Sequence, residues 1–243
     1  MLHNLSDRHL GAIREATTWI QEQFNPRGII VSGTIVRGNP GPSSDLDIAV
    51  VHKPHWRQRV QRFFNGVPAD VFVNPEFRYR QTFAEEIANG RPVMAHLIST
   101  GEIVHDPDGM LPLLQALAAE TLAGGPRISA ESLALRKYAI ATGFEDAQDI
   151  RDVDPDRAHA MITEALVSAV NLFFLQMGRW LPRPKVLLSG LDEVDPSLAT
   201  AVRSALRESD LEIRLERSQA VVHRIVGETG FFVWESEQQP LRE

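Results

Sequence analysis

The chain has 243 residues, 43% hydrophobic and 23% charged, with no cysteine and a formal net charge of -7. Its length suits one large domain or two small ones, and the missing cysteine excludes a disulfide scaffold, a thiolate zinc centre and a cysteine nucleophile. The acidic balance argues against a large sequence-independent grip on nucleic acid, which rests on clustered Lys and Arg.

At the N-terminus neither the basic start nor the apolar run of a secretory signal is present, and no stretch reaches the roughly 20 apolar residues of a membrane span. A soluble, cytoplasmic protein without a membrane partner is expected. Ser6 predicts an N-cap for a helix from Asp7 to about Phe24, stopped by Asn25-Pro26. Gly28 to Ser32 reads as a buried strand that runs into Gly33 and a short helix. A loop follows at Asn39-Pro40-Gly41-Pro42. Strands are expected at Asp45 to Val51 and Ala69 to Val73, with helical periodicity between them from His55 to Phe64. Helices around Arg80 to Ala88 and Val93 to Ile98 precede a short strand at Ile103 to His105.

The segment Ala123-Gly124-Gly125-Pro126 has the composition of a domain junction. It divides a domain of residues 1–122 from one of residues 127–243. Beyond it, Ser129 to Arg151, Asp156 to Met177, Pro196 to Glu208 and Leu211 to Gly227 have the lengths and apolar spacing of bundle helices. The second is the most apolar and is expected at the centre. Phe231 to Glu243 reads as a strand and a frayed tail, and Phe63, Phe64, Phe173 and Phe174 read as core. The fold class is therefore α+β: a small mixed sheet with flanking helices, then an all-α helical bundle. Residues 1–125 carry 11 basic and 13 acidic side chains against 14 and 19 in residues 126–243, so most of the negative charge lies in the helical half.

Chemistry concentrates between Ile29 and Val51. Where an apolar strand turns at Gly33, a glycine lets backbone approach a ligand, exposed N–H groups favour an anion, and the Thr34 hydroxyl adds a donor. Arg37 can bring charge-assisted bonds to the same phosphates. Asp45 and Asp47 are two apart in a strand and so project to one face, where two like charges need a cation. Asp70 opens the next strand and can stand beside them. Three carboxylates suit hard cations such as Mg²⁺, and a two-metal site clamps both oxygens of a phosphoryl displacement.

Gly33-Thr34-Ile35-Val36-Arg37-Gly38, followed by Gly41-Pro42-Ser43-Ser44-Asp45-Leu46-Asp47 and then Asp70, resembles the nucleotidyltransferase signature of the DNA polymerase beta superfamily. The resemblance is to its small-molecule branch, typified by kanamycin and other aminoglycoside nucleotidyltransferases. It implies metal-dependent transfer of a nucleoside monophosphate from a nucleoside triphosphate, with ATP the expected one, to a hydroxyl of a small-molecule acceptor, with pyrophosphate leaving. By position, Asp45, Asp47 and Asp70 would hold two Mg²⁺ ions, and Gly33, Thr34, Arg37 and Ser44 would hold phosphates. The family usually has Ser where this chain has Thr34, and the hydroxyl survives. A homodimer is compatible with the resemblance.

A general base is needed for the acceptor hydroxyl. Asp70 is one candidate. Glu145 is the other, in the acidic run Glu145 to Asp156, where Glu145 and Asp146 each sit one helical turn from Asp149. Such a ridge suits a cationic acceptor, although charge runs are usually solvated faces. Lys185, in the segment Gly178 to Lys185 with Trp180 and Arg183, is a candidate for the triphosphate. Two other functions fit the same residues: a protein-modifying, antitoxin-like nucleotidyltransferase, and a nucleotide-binding regulatory module without catalysis. Pure binding does not need all three carboxylates.

Overall fold

In the computed structural model, which describes residues 5–38, 40–236 and 238, Ser6 Oγ accepts the His9 N–H and opens α1 (Asp7–Phe24). The helix ends at Asn25, whose φ of 44° is left-handed and whose N–H returns to Gln21, just before Pro26 forbids another turn. The strands are β1 (Gly28–Ser32), β2 (Leu46–His52), β3 (Gln58–Phe64), β4 (Val67–Pro75) and β5 (Glu102–His105). They form one mixed sheet of order β3-β4-β2-β1-β5, in which only β2 and β4 run parallel.

The sheet is covered on both faces. Ile29, Val31, Ile48, Val50, Val71 and Val73 share one core with Ala12, Ile13, Ala16 and Ile20 of α1. On the other face Ile30, Ala49 and Val51 pack with α2 (Glu76–Asn89), α3 (Val93–Thr100) and α4 (Leu111–Gly124). Burial on both sides explains why β1 and β2 are nearly continuous apolar runs. Each of their fully buried Ile and Val side chains contributes roughly 1.5–3 kcal/mol of transfer free energy.

Four local expectations are corrected. His55 to Phe64 does not form a helix: from Gln58 it is the edge strand β3, because Asn65 and Gly66, with φ of 45° and 71°, close a tight hairpin onto β4. An Asn-Gly pair between paired strands favours this turn, and the sheet's pairing overrides the helical spacing. Phe63 consequently points to solvent at 70% exposure, whereas Phe64 is buried as expected. The short helix expected after Gly33 is a single turn over residues 34–38, since Gly38 at φ 82° ends it at once. Asn39 lies outside the described residues. At the other end of the chain, residues 231–236 form no strand; Glu237 and residues 239–243 lie outside the description.

The chain divides into two compact units, one of residues up to Ile87 with Pro92–Gly125, the other of Ala88–Arg91 with Pro126 onward. Gly90 belongs to the second because its carbonyl accepts the Leu181 N–H at 2.8 Å. The second unit is helical: α5 (Ala130–Ile150), α6 (Pro155–Gln176), α7 (Leu187–Val194), α8 (Pro196–Arg207) and α9 (Leu211–Val226). All five enclose one core built around Phe144, Leu166, Val170, Leu191, Leu198 and Val222. Phe174 is inside it and Phe173 lies at its edge. By length and composition α6 is apolar enough to cross a membrane, beyond what the sequence suggested, and half of its most apolar window is buried within the unit. A central bundle helix needs the same composition.

Candidate active site

The site is assembled by strand register. Parallel pairing sets Asp47 of β2 against Asp70 of β4, and antiparallel pairing sets Ser32 of β1 against Asp47. Gln61 of β3 opposes Asp70. Directly opposed residues share a face, so Ser32, Asp47, Asp70 and Gln61 make one row across four strands. Because their neighbours Leu46, Ile48, Ala69 and Val71 belong to the α1 core, the row lies on the opposite face of the sheet. Asp45 stands two residues ahead of Asp47, where the chain enters β2.

Gly33 closes the end of this row. Its φ is +104°, and a side chain there would place Cβ 2.9 Å from the Asp45 carbonyl oxygen and 3.2 Å from Asp47 Oδ2. Glycine is needed both for the backbone conformation and for the close approach. The turn that follows is bonded from Arg37 N–H to the Gly33 carbonyl. Thr34 Oγ1 and Ser44 Oγ lie 2.7 Å apart, and Ser44 Oγ also accepts the Gly41 N–H. The expected phosphate donors Gly33, Thr34 and Ser44 are therefore one connected group beside the aspartates.

Tyr79 steadies the strands beneath. Its hydroxyl is 2.7 Å from the Phe72 carbonyl and 3.1 Å from that of Val50, one on each of the two parallel strands. Burial pushes its pKa well above the ordinary phenol value, so the proton that makes this bond is retained.

Two residues that the sequence did not single out belong to the site. Ser32 is 1% exposed, and its Oγ has no hydrogen-bond partner among the described residues. A buried orphan hydroxyl costs free energy unless something bonds to it, and this one stands in register with Asp47. Arg59, on β3, donates from Nε to both oxygens of Asp70 at 2.8 and 3.1 Å and from Nη2 to Oδ2. Its guanidinium pKa is raised, chiefly by the hydrogen bond and charge of Asp70, with smaller contributions from Asp47 and Asp45. All three aspartates thus act on one cation.

The donor chemistry of Asp45 and Asp47 beside an orphan hydroxyl fits a hard divalent cation. Asp70 is in the row, but its oxygens are engaged by Arg59. Among the described residues no three His, Asp or Glu side chains form a group able to hold a metal ion.

Glu145 and Lys185 lie in the second unit. Glu145 is half-buried toward the C-terminal end of α5, its carboxylate packed where a Cβ on Gly230 would come within 3.4 Å. Lys185 is exposed on a 3-10 turn, Pro184–Val186. Asp146 and Asp149 are exposed.

No family model matches the sequence, and no curated protein matches it significantly. Among solved structures the chain is similar to the nucleotidyltransferase-like protein from Exiguobacterium sibiricum. The TM-score is 0.56 at 15% identity, covering 90% of this chain and 74% of that one. The fold is nucleotidyltransferase-like.

Proposed function

We propose that the protein is a metal-dependent nucleotidyltransferase that moves a nucleoside monophosphate from a nucleoside triphosphate, ATP in the first instance, to a hydroxyl of a small acceptor. What supports this reading is the strand register that sets Asp47 beside Asp70, with Asp45 and the Gly33 turn adjoining. An aminoglycoside-like acceptor is the specific form of the proposal, motivated by the sequence resemblance and by the acidic helical half, which suits a cation.

Asp45 and Asp47 would hold Mg²⁺, which when bound supplies charge to the reacting phosphate. Gly33, through its backbone, and the Thr34 and Ser44 hydroxyls orient the phosphates, with Arg37 adding a charge-assisted contact and Lys185 a second candidate cation. The acceptor hydroxyl must lose its proton to a carboxylate as the new P–O bond forms and the bond to pyrophosphate breaks. Asp70 and Glu145 are the candidates, separated by comparing Asp70→Asn with Glu145→Gln.

The reading is tested by incubating the protein with each labelled triphosphate, Mg²⁺, a panel of aminoglycosides and other hydroxylated compounds, and lysate proteins. Label on a small molecule with release of pyrophosphate is expected. Label on a protein would replace the small-molecule acceptor by a protein one, and nucleotide binding with no transfer to any acceptor would reduce the function to a regulatory module.

A further inference from the structure

The third carboxylate of the site already has a cation. Arg59 stands opposite Phe72 on the edge strand, two residues from Gln61, and so reaches Asp70 diagonally on the same face. Its Nε and Nη2 take both Asp70 oxygens, and the Phe72 ring lies 5.2 Å from the guanidinium carbon. The Asp70 carboxylate is 8% exposed and Arg59 61%. A nearly buried anion is thus neutralised by an arginine that reaches it from the open edge of the sheet. The fork uses parallel N–H donors, the strongest arrangement available to a carboxylate. The neighbouring Asp47 and Asp45 also raise this guanidinium's pKa, more weakly than Asp70 does. Three N–H donations take most of the roughly four acceptor positions of the Asp70 carboxylate, so the guanidinium competes with a divalent ion for the same oxygens.

Resting on the metal-dependent reading above, we infer that Arg59 stands in for one divalent cation: it withholds Asp70 from the metal set, leaving one ion on Asp45 and Asp47. Arg59 is on this account a positioning residue, and the site takes one metal ion where three available carboxylates would take two.

The test is a titration of the full chain with Mn²⁺ alone, with free ion followed by electron paramagnetic resonance and folding checked by circular dichroism and thermal melting. Wild type should bind no more than one equivalent. Arg59→Gln should bind a second equivalent or tighten the first by about tenfold, the scale on which groups next to a metal ligand shift its affinity. Asp70→Asn should leave wild-type affinity within about twofold, and adding it to Arg59→Gln should cancel the gain, as expected for coupled neighbours. Arg59→Lys, which keeps the charge without the fork, should fall between wild type and Arg59→Gln and serves if the glutamine variant folds poorly. Unchanged or weaker binding in Arg59→Gln, or a loss in Asp70→Asn as large as in Asp47→Asn, would overturn the inference and leave the metal reading standing. No Mn²⁺ binding by wild type or any variant would overturn both.

Discussion

The molecule contains two acidic stretches, and they end in opposite states. In the sheet, Asp47 and Asp70 are brought side by side by register on the face that also carries the core shared with α2, α3 and α4, and Asp70 is almost buried. In the helical unit, the run from Glu145 to Asp156 disperses. Asp146 and Asp149 are exposed, Asp154 caps α6 by accepting the Arg157 N–H, and Glu145 rests against the Gly230 segment. A strand repeats every two residues and places like charges together across its neighbours, whereas a helix rotates each successive charge by 100° toward water. Concentrated like charge must be compensated, and the compensation marks a site.

The largest effect expected is on turnover. Asp47→Asn keeps the shape and removes the charge at the centre of the row, so pyrophosphate release should fall by at least about 10²–10³-fold, the scale of deleting one preorganised transition-state contact. The melting curve should stay near wild type. Near-wild-type turnover would return the sheet aspartates to the same standing as those of α5. Next is Gly33→Ala, which forces a side chain into φ +104° with Cβ 2.9 Å from a backbone oxygen. A stability loss of about 1–3 kcal/mol is expected by denaturant titration, with turnover reduced at temperatures where the protein remains folded. A neutral result would show that the close approach of the turn to Asp45 and Asp47 does not constrain the site.

Much of this contrast could be read from the sequence because it is local. The glycine turn, the i, i+2 spacing of Asp45 and Asp47 and the apolar stripe of α6 each depend on neighbours within a few residues. The same holds for the caps at Ser6 and Asn25. Arg59 was invisible for the complementary reason. Its role depends on β3 being a strand, on the Asn65-Gly66 hairpin that folds β3 against β4, and on the register that brings position 59 near position 70, while the segment taken alone has helical spacing. Ser32 likewise becomes informative only when β1 pairs with β2. The eight-residue α7 offers too few turns for its period to show.

The helical unit should respond to loss of a cap rather than of catalysis. Asp195 caps α8: Oδ1 accepts the Leu198 N–H and the Ser197 hydroxyl, and Oδ2 accepts from Arg224 of α9 at 2.6 Å. Asp195→Ala should cost about 1 kcal/mol in chemical unfolding and leave turnover unchanged. The carboxylate pKa is lowered by its bond from Leu198, then by Ser197, with Arg224 adding to it. Since the folded pKa lies below the unfolded one, the contribution is complete above the unfolded carboxylate pKa and is lost as pH falls through the folded one. The gap between variant and wild type should therefore narrow on acidification; a constant gap would mean that packing at residue 195, rather than the charged cap, supplies the stability.

Asp149→Asn should have the smallest effect, and it bears most directly on what the acidic ridge does. Asp149 is exposed in the last turn of α5, at the negative end of the helix dipole; that turn holds no basic residue, and Arg151 follows at the C-cap. Removing its charge should stabilise the unit by a few tenths of a kcal/mol, because an anion at a helix C-terminus is unfavourable. If the ridge is a solvated face, KM for a cationic acceptor stays at the wild-type value in both Asp149→Asn and Asp146→Asn. If it recognises the acceptor, KM rises for a cationic acceptor but not for a neutral one, and the rise shrinks with added salt as surface charges are screened. Such a rise would give the α5 carboxylates a functional role despite their exposure, since long-range attraction of a cation needs neither burial nor register.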